Sequence, residues 1–322
     1  MKRVWKRALI GVGAGVVIIG LGIAGYAWHL YGSVKDTAAK IYEPIEQTVY
    51  VSKDPEVPAK PQEVAEALIE KRHPFSVVVM GVDERENDKG RSDTLIVLAV
   101  NPAKKSILMF NIPRDTRTEI IGHGTTDKIN HAYAFGGVTM AKNTVEHFLD
   151  YPIDYYVRIN MEGFEHLIDI LGGVEVNNPF SFYYGEHQFN EGPLKLNGNL
   201  ALLYSRMRYE DPRGDLGRNA RQRDILMEVM KSSLKFNNIT QIQKILKELG
   251  TSVKTNITFD EMKTFMTDYR EDVGNINMVE ISGSGSTINS VWYLIVNKEE
   301  RERIHELMKE QMEDSVTTVA AP

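Results

Sequence analysis

Phe75-Ser-Val-Val-Val-Met-Gly-Val82 is a continuous apolar run of strand length, and Thr94–Val100 and Ser106–Ile112 repeat the pattern. Unbroken runs of this kind read as central strands covered on both faces. Asn101-Pro-Ala-Lys104 is too short for a crossover, and the polar link from Asp83 to Ser92 barely reaches the minimum. All three strands are therefore expected to run antiparallel in chain order. Strand one then ends where strand two starts, and strand three returns to the same edge, so Asp83, Arg91, Asp93 and Arg114 meet. Two carboxylates facing each other beside arginines suit a divalent cation that also binds phosphate oxygens, with magnesium the natural candidate. The alternative is a pair of local ion pairs, Asp83 with Arg85 and Asp93 with Arg91.

The second informative stretch runs from Arg206 to Asp224, where six arginines sit among four acids. From Asp215 onward the pattern is helical, and positions 218, 222, 225 and 229 share one face. The lower part of that face is Ile225 and Val229, which must meet a core; towards the helix start it becomes Arg218 and Gln222. Buried arginine needs an anionic partner, and a helix N-terminus favours one. Arg206 and Arg208 would form a second fork if the chain there is extended. The bland alternative is a solvated basic helix start paired with Glu210, Asp211, Asp215 and Asp224.

Elsewhere the chain alternates. A helix is expected at Val138–Leu149, a strand at Tyr155–Ile159, a helix at Gly163–Leu171 stopped by Gly172-Gly173, a strand at Val174–Val176 and an aromatic hairpin at Phe180–Asn190. Helices at Ile239–Leu249 and Phe259–Tyr269, strands at Asn277–Ile281 and Trp292–Val296, and a closing helix at Lys298–Met312 complete an α/β fold, a mixed central sheet flanked by helices. Ser282-Gly-Ser-Gly-Ser-Thr287 lacks the lysine and helix of a phosphate-binding loop and reads as a loop joining strands. His123 and His131 have no zinc-ligand spacing, and no Gly-x-Ser-x-Gly elbow is present.

The 322 residues are 42% hydrophobic and carry a net charge of -6, enough for one sizeable domain and too acidic for a nucleic-acid binder without an extended basic stripe. Having no cysteine, the chain has no thiolate chemistry, disulfide or cysteine-ligated zinc. Ala8–Trp28 contains no charged residue, and about 21 residues of helix cross a bilayer. Lys2, Arg3, Lys6 and Arg7 precede that run and mixed charges follow it, so the N-terminus is expected in the cytoplasm and the remainder outside. The run exceeds a signal-peptide core and no Ala-x-Ala site follows, which disfavours cleavage. The expected order is a cytoplasmic 1–7, a membrane anchor at 8–28, a stalk with a lead-in helix at 29–74, the domain at 75–313 and a frayed tail at 314–322.

Gly81-Val-Asp83, Arg91-Ser-Asp93, Pro113-Arg-Asp115, Lys128-Ile-Asn-His-Ala-Tyr133, Arg206-Met-Arg208 and Arg218-Asn-Ala-Arg-Gln222 together resemble the LytR-CpsA-Psr family. The likeness spans about Phe75–Leu234. Asp83-Glu-Arg85 and Glu210-Asp-Pro-Arg-Gly-Asp215 further resemble its teichoic acid-transferring branch. The resemblance implies a membrane-anchored phosphotransferase on the outer face, moving a glycopolymer phosphate from an undecaprenyl pyrophosphate carrier to a peptidoglycan hydroxyl. It implies that Asp83 and Asp93 hold magnesium and that Arg91, Arg114, Arg206, Arg208, Arg218 and Gln222 clamp the pyrophosphate. Catalysis would rest on Asp83, Asp93 and Arg114, with Asp83 or Asp93 assisting deprotonation of the acceptor. The rival classes are a lipid pyrophosphate hydrolase and a non-catalytic surface receptor or regulator.

Overall fold

A computed structural model describes residues 32–33, 35–45, 49–58, 73–84, 89–233, 245, 250, 252–268 and 275–313. The apolar run 8–28, the expected lead-in helix at 62–71 and, apart from residue 245, the expected helix at 239–249 lie outside the described residues. Among the described residues no helix is long and apolar enough to cross a membrane.

The three apolar runs form β1 (Phe75–Val82), β2 (Ser92–Asn101) and β3 (Ser106–Asn111), antiparallel in chain order as expected. A small hairpin follows, β4 (Arg117–Ile120) with β5 (Thr125–Lys128), then the helix α1 (His131–Leu149). That helix is longer than the expected Val138–Leu149 but leaves helical geometry at Gly136 and Gly137, where the sequence places its break. It crosses back to β6 (Tyr155–Asn160), which pairs parallel to β1. α2 (Met161–Ile170), β7 (Val174–Asn178), β8 (Phe182–Tyr184), β9 (His187–Phe189), β10 (Gly192–Leu196), α3 (Gly198–Arg206) and α4 (Asp215–Ser233) follow. The chain then returns as β11 (Val253–Thr255), α5 (Phe259–Asp268), β12 (Ile276–Val279), β13 (Ser284–Ile288), β14 (Val291–Ile295) and α6 (Lys298–Met312). The central sheet is mixed, in the order β11-β6-β1-β2-β3-β12.

Both sheet faces are covered, which is why β1 to β3 lack polar alternation. On one face Val78, Met80, Val97 and Phe110 pack with Val145 and Phe148 of α1 and Ile304 and Met308 of α6. On the other, Val77, Ile96 and Met109 meet Leu226 and Met230 of α4 and Met262 and Phe265 of α5. A third core joins Ile168, Val176, Phe182, Tyr204 and Ile225, with Val229 against it. Helix α4 thus contributes to two cores at once, and its arginines are enclosed on several sides: Arg218, Arg221 and Arg223 are 6%, 2% and 5% exposed. Those values set aside the solvated part of the alternative for these three arginines, while its local pairing holds for Arg218 with Asp215 and Arg221 with Asp211.

Two expectations are corrected. Ser284–Ile288 is a strand, not a joining loop: a Gly/Ser-rich segment with little strand propensity is held by pairing with β14 across a two-residue turn in which Asn289 and Ser290 have φ of 49° and 65°. The described part of the presumed stalk does not stand off the domain. Ala38, Ile41 and Val57 are buried, and Tyr42 bridges to Thr255 on β11. Further along, Asp54 accepts from Lys309 Nζ at 2.9 Å and faces His305 Nε2 at 3.3 Å, both on α6.

The Asp54 contact makes an acid-labile clip. The Glu56 backbone N–H, then Lys309 and His305, hold the Asp54 carboxyl down at about 2, below its ordinary value. A depressed carboxylate contributes its stabilisation above the unfolded pKa and loses it as pH falls through the folded one. Amide exchange at residues 49–58 is therefore expected to accelerate between about pH 4 and 2. Lys309→Ala should bring the same acceleration at neutral pH. Equal protection in wild type and variant at neutral pH would show that the clip does not hold the segment.

Candidate active site

Val82 pairs with Ser92 after a register shift that follows Gly81, and this sets Asp83 and Asp93 on either side of the β1–β2 link. The backbone N–H groups of both aspartates donate to the Arg91 carbonyl, at 3.3 and 3.0 Å. The Arg91 carbonyl is thereby committed to the turn while Arg91 itself is exposed. Gly90 closes the turn at φ +68°, where an added Cβ would lie 2.1 Å from the Asp83 carbonyl oxygen. Gly90→Ala is expected to cost about 1–3 kcal/mol, seen as a lower urea midpoint. A midpoint equal to wild type would show that the turn can open without loss.

Strand β3 returns to this edge and delivers Arg114, whose Nη1 lies 3.0 Å from Asp93 Oδ2. Asn130 Nδ2 donates to Asp93 Oδ1 at 3.0 Å. The alternative of a local Asp93–Arg91 ion pair gives way to this long-range one; Arg85 lies outside the described residues. Arg114 also faces Asp115, 3.6 Å from its Nε, and the other Asp115 oxygen is 2.6 Å from Lys128 Nζ. Burial works against the Arg114 charge, yet Asp93, Asp115 and Asp215 outweigh it and raise its pKa.

Helix α4 brings Arg218 to the same place from a distant part of the chain. Its Nη2 lies 2.8 and 3.0 Å from the two oxygens of Asp215, one turn earlier, and Arg208 Nη1 is 3.9 Å from that carboxylate. Burial lowers the Arg218 pKa; Asp215 and Asp93 oppose that, while Arg114 and Arg208 add to it. Arg114, Arg208 and Arg218, from three separate segments, therefore lie in the field of two carboxylates, Asp93 and Asp215. Of these, Arg218 has its charge disfavoured by burial and by its cationic neighbours, and an oxyanion placed among the guanidinium groups would relieve it.

The remaining sequence candidates sit around this centre in different ways. Gln222 is half-buried, its Oε1 accepting from Asn111 Nδ2 at 3.3 Å at the end of β3. Arg206 is the last residue of α3, and its guanidinium is directed at the Met161 sulfur. Arg208 follows an extended Met207, so the two arginines leave towards different neighbours instead of forming one fork. The sequence pointed to no role for Asn130 and to Asp215 only as a local ion-pair partner of the helix start. The Asp215 signal was present, an acid three residues before Arg218 in the first helical turn.

The chain's model match fixes its relationship: the LytR_cpsA_psr family model covers residues 29–310. The chain belongs to the LytR_cpsA_psr family. Among its relatives, the polyisoprenyl-teichoic acid–peptidoglycan teichoic acid transferase TagU of Halalkalibacterium halodurans is 48% identical over 310 residues, 96% of this chain and 99% of that protein. The crystal structure of B. subtilis TagU, 42% identical, matches with a TM-score of 0.63 over 78% of this chain and 100% of the other. A structure of TagT bound to LIIa-WTA is 27% identical, with a TM-score of 0.65 over 75% of this chain and 91% of the other. The mixed sheet and flanking helices described above are thus shared within the LytR_cpsA_psr family.

The residues that could hold a cation are Asp83 and Asp93, the latter also engaged by Arg114 and Asn130. Asp83 and Asp93 flank one turn, and Asn130 Oδ1, beside Asp93, is buried without a hydrogen-bond partner. Two carboxylates and an amide oxygen suit a hard ion that completes its shell with phosphate and water, as magnesium does. They do not make an all-protein cage. Among the described residues the cluster of three acidic or histidine ligands is elsewhere, at Asp54, His305 and Glu306; there Lys309 engages Asp54 as Arg114 engages Asp93.

Proposed function

We propose that this protein transfers an anionic glycopolymer, wall teichoic acid in the first instance, from an undecaprenyl pyrophosphate carrier to a peptidoglycan hydroxyl. The observation that carries the reading is the convergence of Arg114, Arg208 and Arg218 on the Asp93–Asp215 pair. The acceptor oxygen bonds to the phosphorus on the glycan side of the diphosphate. The bond from that phosphorus to the bridging oxygen breaks, undecaprenyl phosphate departs, and Asp83 or Asp93 takes the acceptor proton. The arginines offset charge on the transferred and leaving phosphates, and burial of Arg218 strengthens its interaction with them. Asp83 and Asp93 would hold magnesium, which supplies Lewis-acid polarisation of the phosphoryl oxygens. Residues 8–28 anchor the chain in the cell membrane with the N-terminus cytoplasmic, and the domain works outside on a lipid-linked substrate.

A reconstituted assay with labelled lipid-linked polymer tests this. Label is expected to enter peptidoglycan only when the acceptor is supplied, with undecaprenyl phosphate as co-product. Soluble polymer released without acceptor would replace the reading with a hydrolase. Tight binding with no turnover in the presence of magnesium would replace it with a receptor.

A further inference from the structure

We propose that the β4–β5 hairpin, with Tyr293 of β14, is a second anion subsite, continuous with Arg114, for the phosphodiester chain of the polymer being transferred. The inference rests on the transferase reading for the identity of its ligand and on separate residues for its geometry. Arg117 and Lys128 are register partners across the hairpin, so two cations stand directly opposite each other. Like charges in that position are unfavourable in an antiparallel pair unless something answers them.

Of the two opposed cations, Lys128 is engaged by a carboxylate and Arg117 is not. Asp115 engages Lys128 at 2.6 Å and Arg114 at 3.6 Å. Asp127 Oδ2 pairs with His131 at 2.8 Å, and its Oδ1 accepts from the Tyr293 hydroxyl at 3.3 Å. Glu119, exposed on the same face of β4 as Arg117, is 3.7 Å from His147, whose pKa burial lowers, and makes no ion pair with Arg117. Arg117 is exposed and has no carboxylate partner among the described residues. Its guanidinium lies 5.8 Å from the Tyr293 ring centroid, and the Lys128 ammonium lies 6.0 Å from the same centroid. The Tyr293 ring, itself buried, thus sits beneath the two cations and holds them at the same end of the hairpin.

That surface is fixed to the reacting centre. Leu294 N–H donates to the Asp115 carbonyl at 2.9 Å, and Thr116 bridges to Leu294. Arg117 is three residues beyond Arg114, at most about 10 Å along extended chain. A polymer with its terminal diphosphate at Arg114 that runs along the hairpin would bring its later phosphates to Arg117 and Lys128. A neutral glycan has no use for the unanswered cation, which favours the polyanionic donor over the acceptor as the occupant.

The test uses the full chain in detergent and soluble poly(glycerol phosphate) of defined length as the probe, followed by titration calorimetry at fixed salt. Wild type is expected to bind chains of several phosphates more tightly than glycerol phosphate. Arg117→Ala should weaken long-chain binding about threefold and Arg117→Glu about tenfold, removing the length dependence. Lys263→Ala, an exposed lysine on α5, serves as the charge-matched control and should bind as wild type does. Length dependence that survives Arg117→Glu overturns the subsite. Phosphatidylglycerol vesicles are the second probe, and an Arg117→Glu loss confined to them overturns the subsite by making the patch a lipid contact. Because binding is read without acceptor, polymer binding that needs Arg117 in a protein that transfers nothing would sink the transferase reading and keep the subsite. Transfer by wild type alongside Arg117-independent polymer binding would do the reverse.

Discussion

Arg218→Ala is expected to raise the barrier to polymer transfer by about 2–4 kcal/mol, a rate loss of roughly 30- to 900-fold. Arg218 is 6% exposed, so its charge acts through little water, and its Nε is buried without a hydrogen-bond partner. Alanine leaves a space that solvent enters and, on the proposed reading, removes a donor for the developing phosphate charge. Arg218→Lys keeps the charge but loses the planar fork, and should fall between alanine and wild type. Single-turnover transfer from labelled lipid-linked polymer reads the chemical step, with urea unfolding as the check that the variants fold. A folded alanine variant that transfers at the wild-type rate would remove Arg218 from the site.

The second large effect concerns stability. Asp211→Ala is expected to cost about 3–5 kcal/mol, because it strands the Arg221 guanidinium in the interior. Arg221 and Asp211 side chains are 3% and 1% exposed and pair at 2.5 Å. Arg221 also donates to the carbonyl oxygens of Tyr204, at 3.1 Å, and Met207, while the rings of Phe182 and Tyr204 lie 5.5 and 5.8 Å from its guanidinium carbon. Gly217 permits the approach: a Cβ there would sit 1.8 Å from an Asp211 carboxylate oxygen. Replacing both charges, in Asp211→Ala with Arg221→Met, should cost less than the two single changes added together. Denaturant unfolding of the four proteins measures this, and strict additivity would show that the pair is not coupled.

Much of this architecture could be read from residue order. The unbroken apolar runs of β1 to β3 and the short Asn101–Lys104 turn were sufficient to bring Asp93 and Arg114 to one edge. The face through Ile225 and Val229 likewise pointed inward and carried Arg218 with it. Less legible was how completely α4 is enclosed. A helix wedged between the sheet and a third core buries Arg221 and Arg223 as well, and their charges disguise that burial in any hydrophobicity pattern. Arg206 and Arg208 were separable only with coordinates, since the helix end falls between them. The β4–β5 hairpin was missed although Arg117-Thr-Glu-Ile120 alternates exposed and buried residues, because four residues give too short a period to stand out. For β13 there was no local signal; its pairing partner makes it a strand.

The Asp215 carboxylate gives the cluster a built-in counterion. With Asp93 answering Arg114 and Asp215 answering Arg218, two of the three guanidinium charges are neutralised from inside the protein before any ligand arrives. An incoming diphosphate then exchanges places with a tethered anion instead of stripping mobile chloride from bare cations. Its affinity should consequently decline more gently with added salt than three unshielded arginines would dictate.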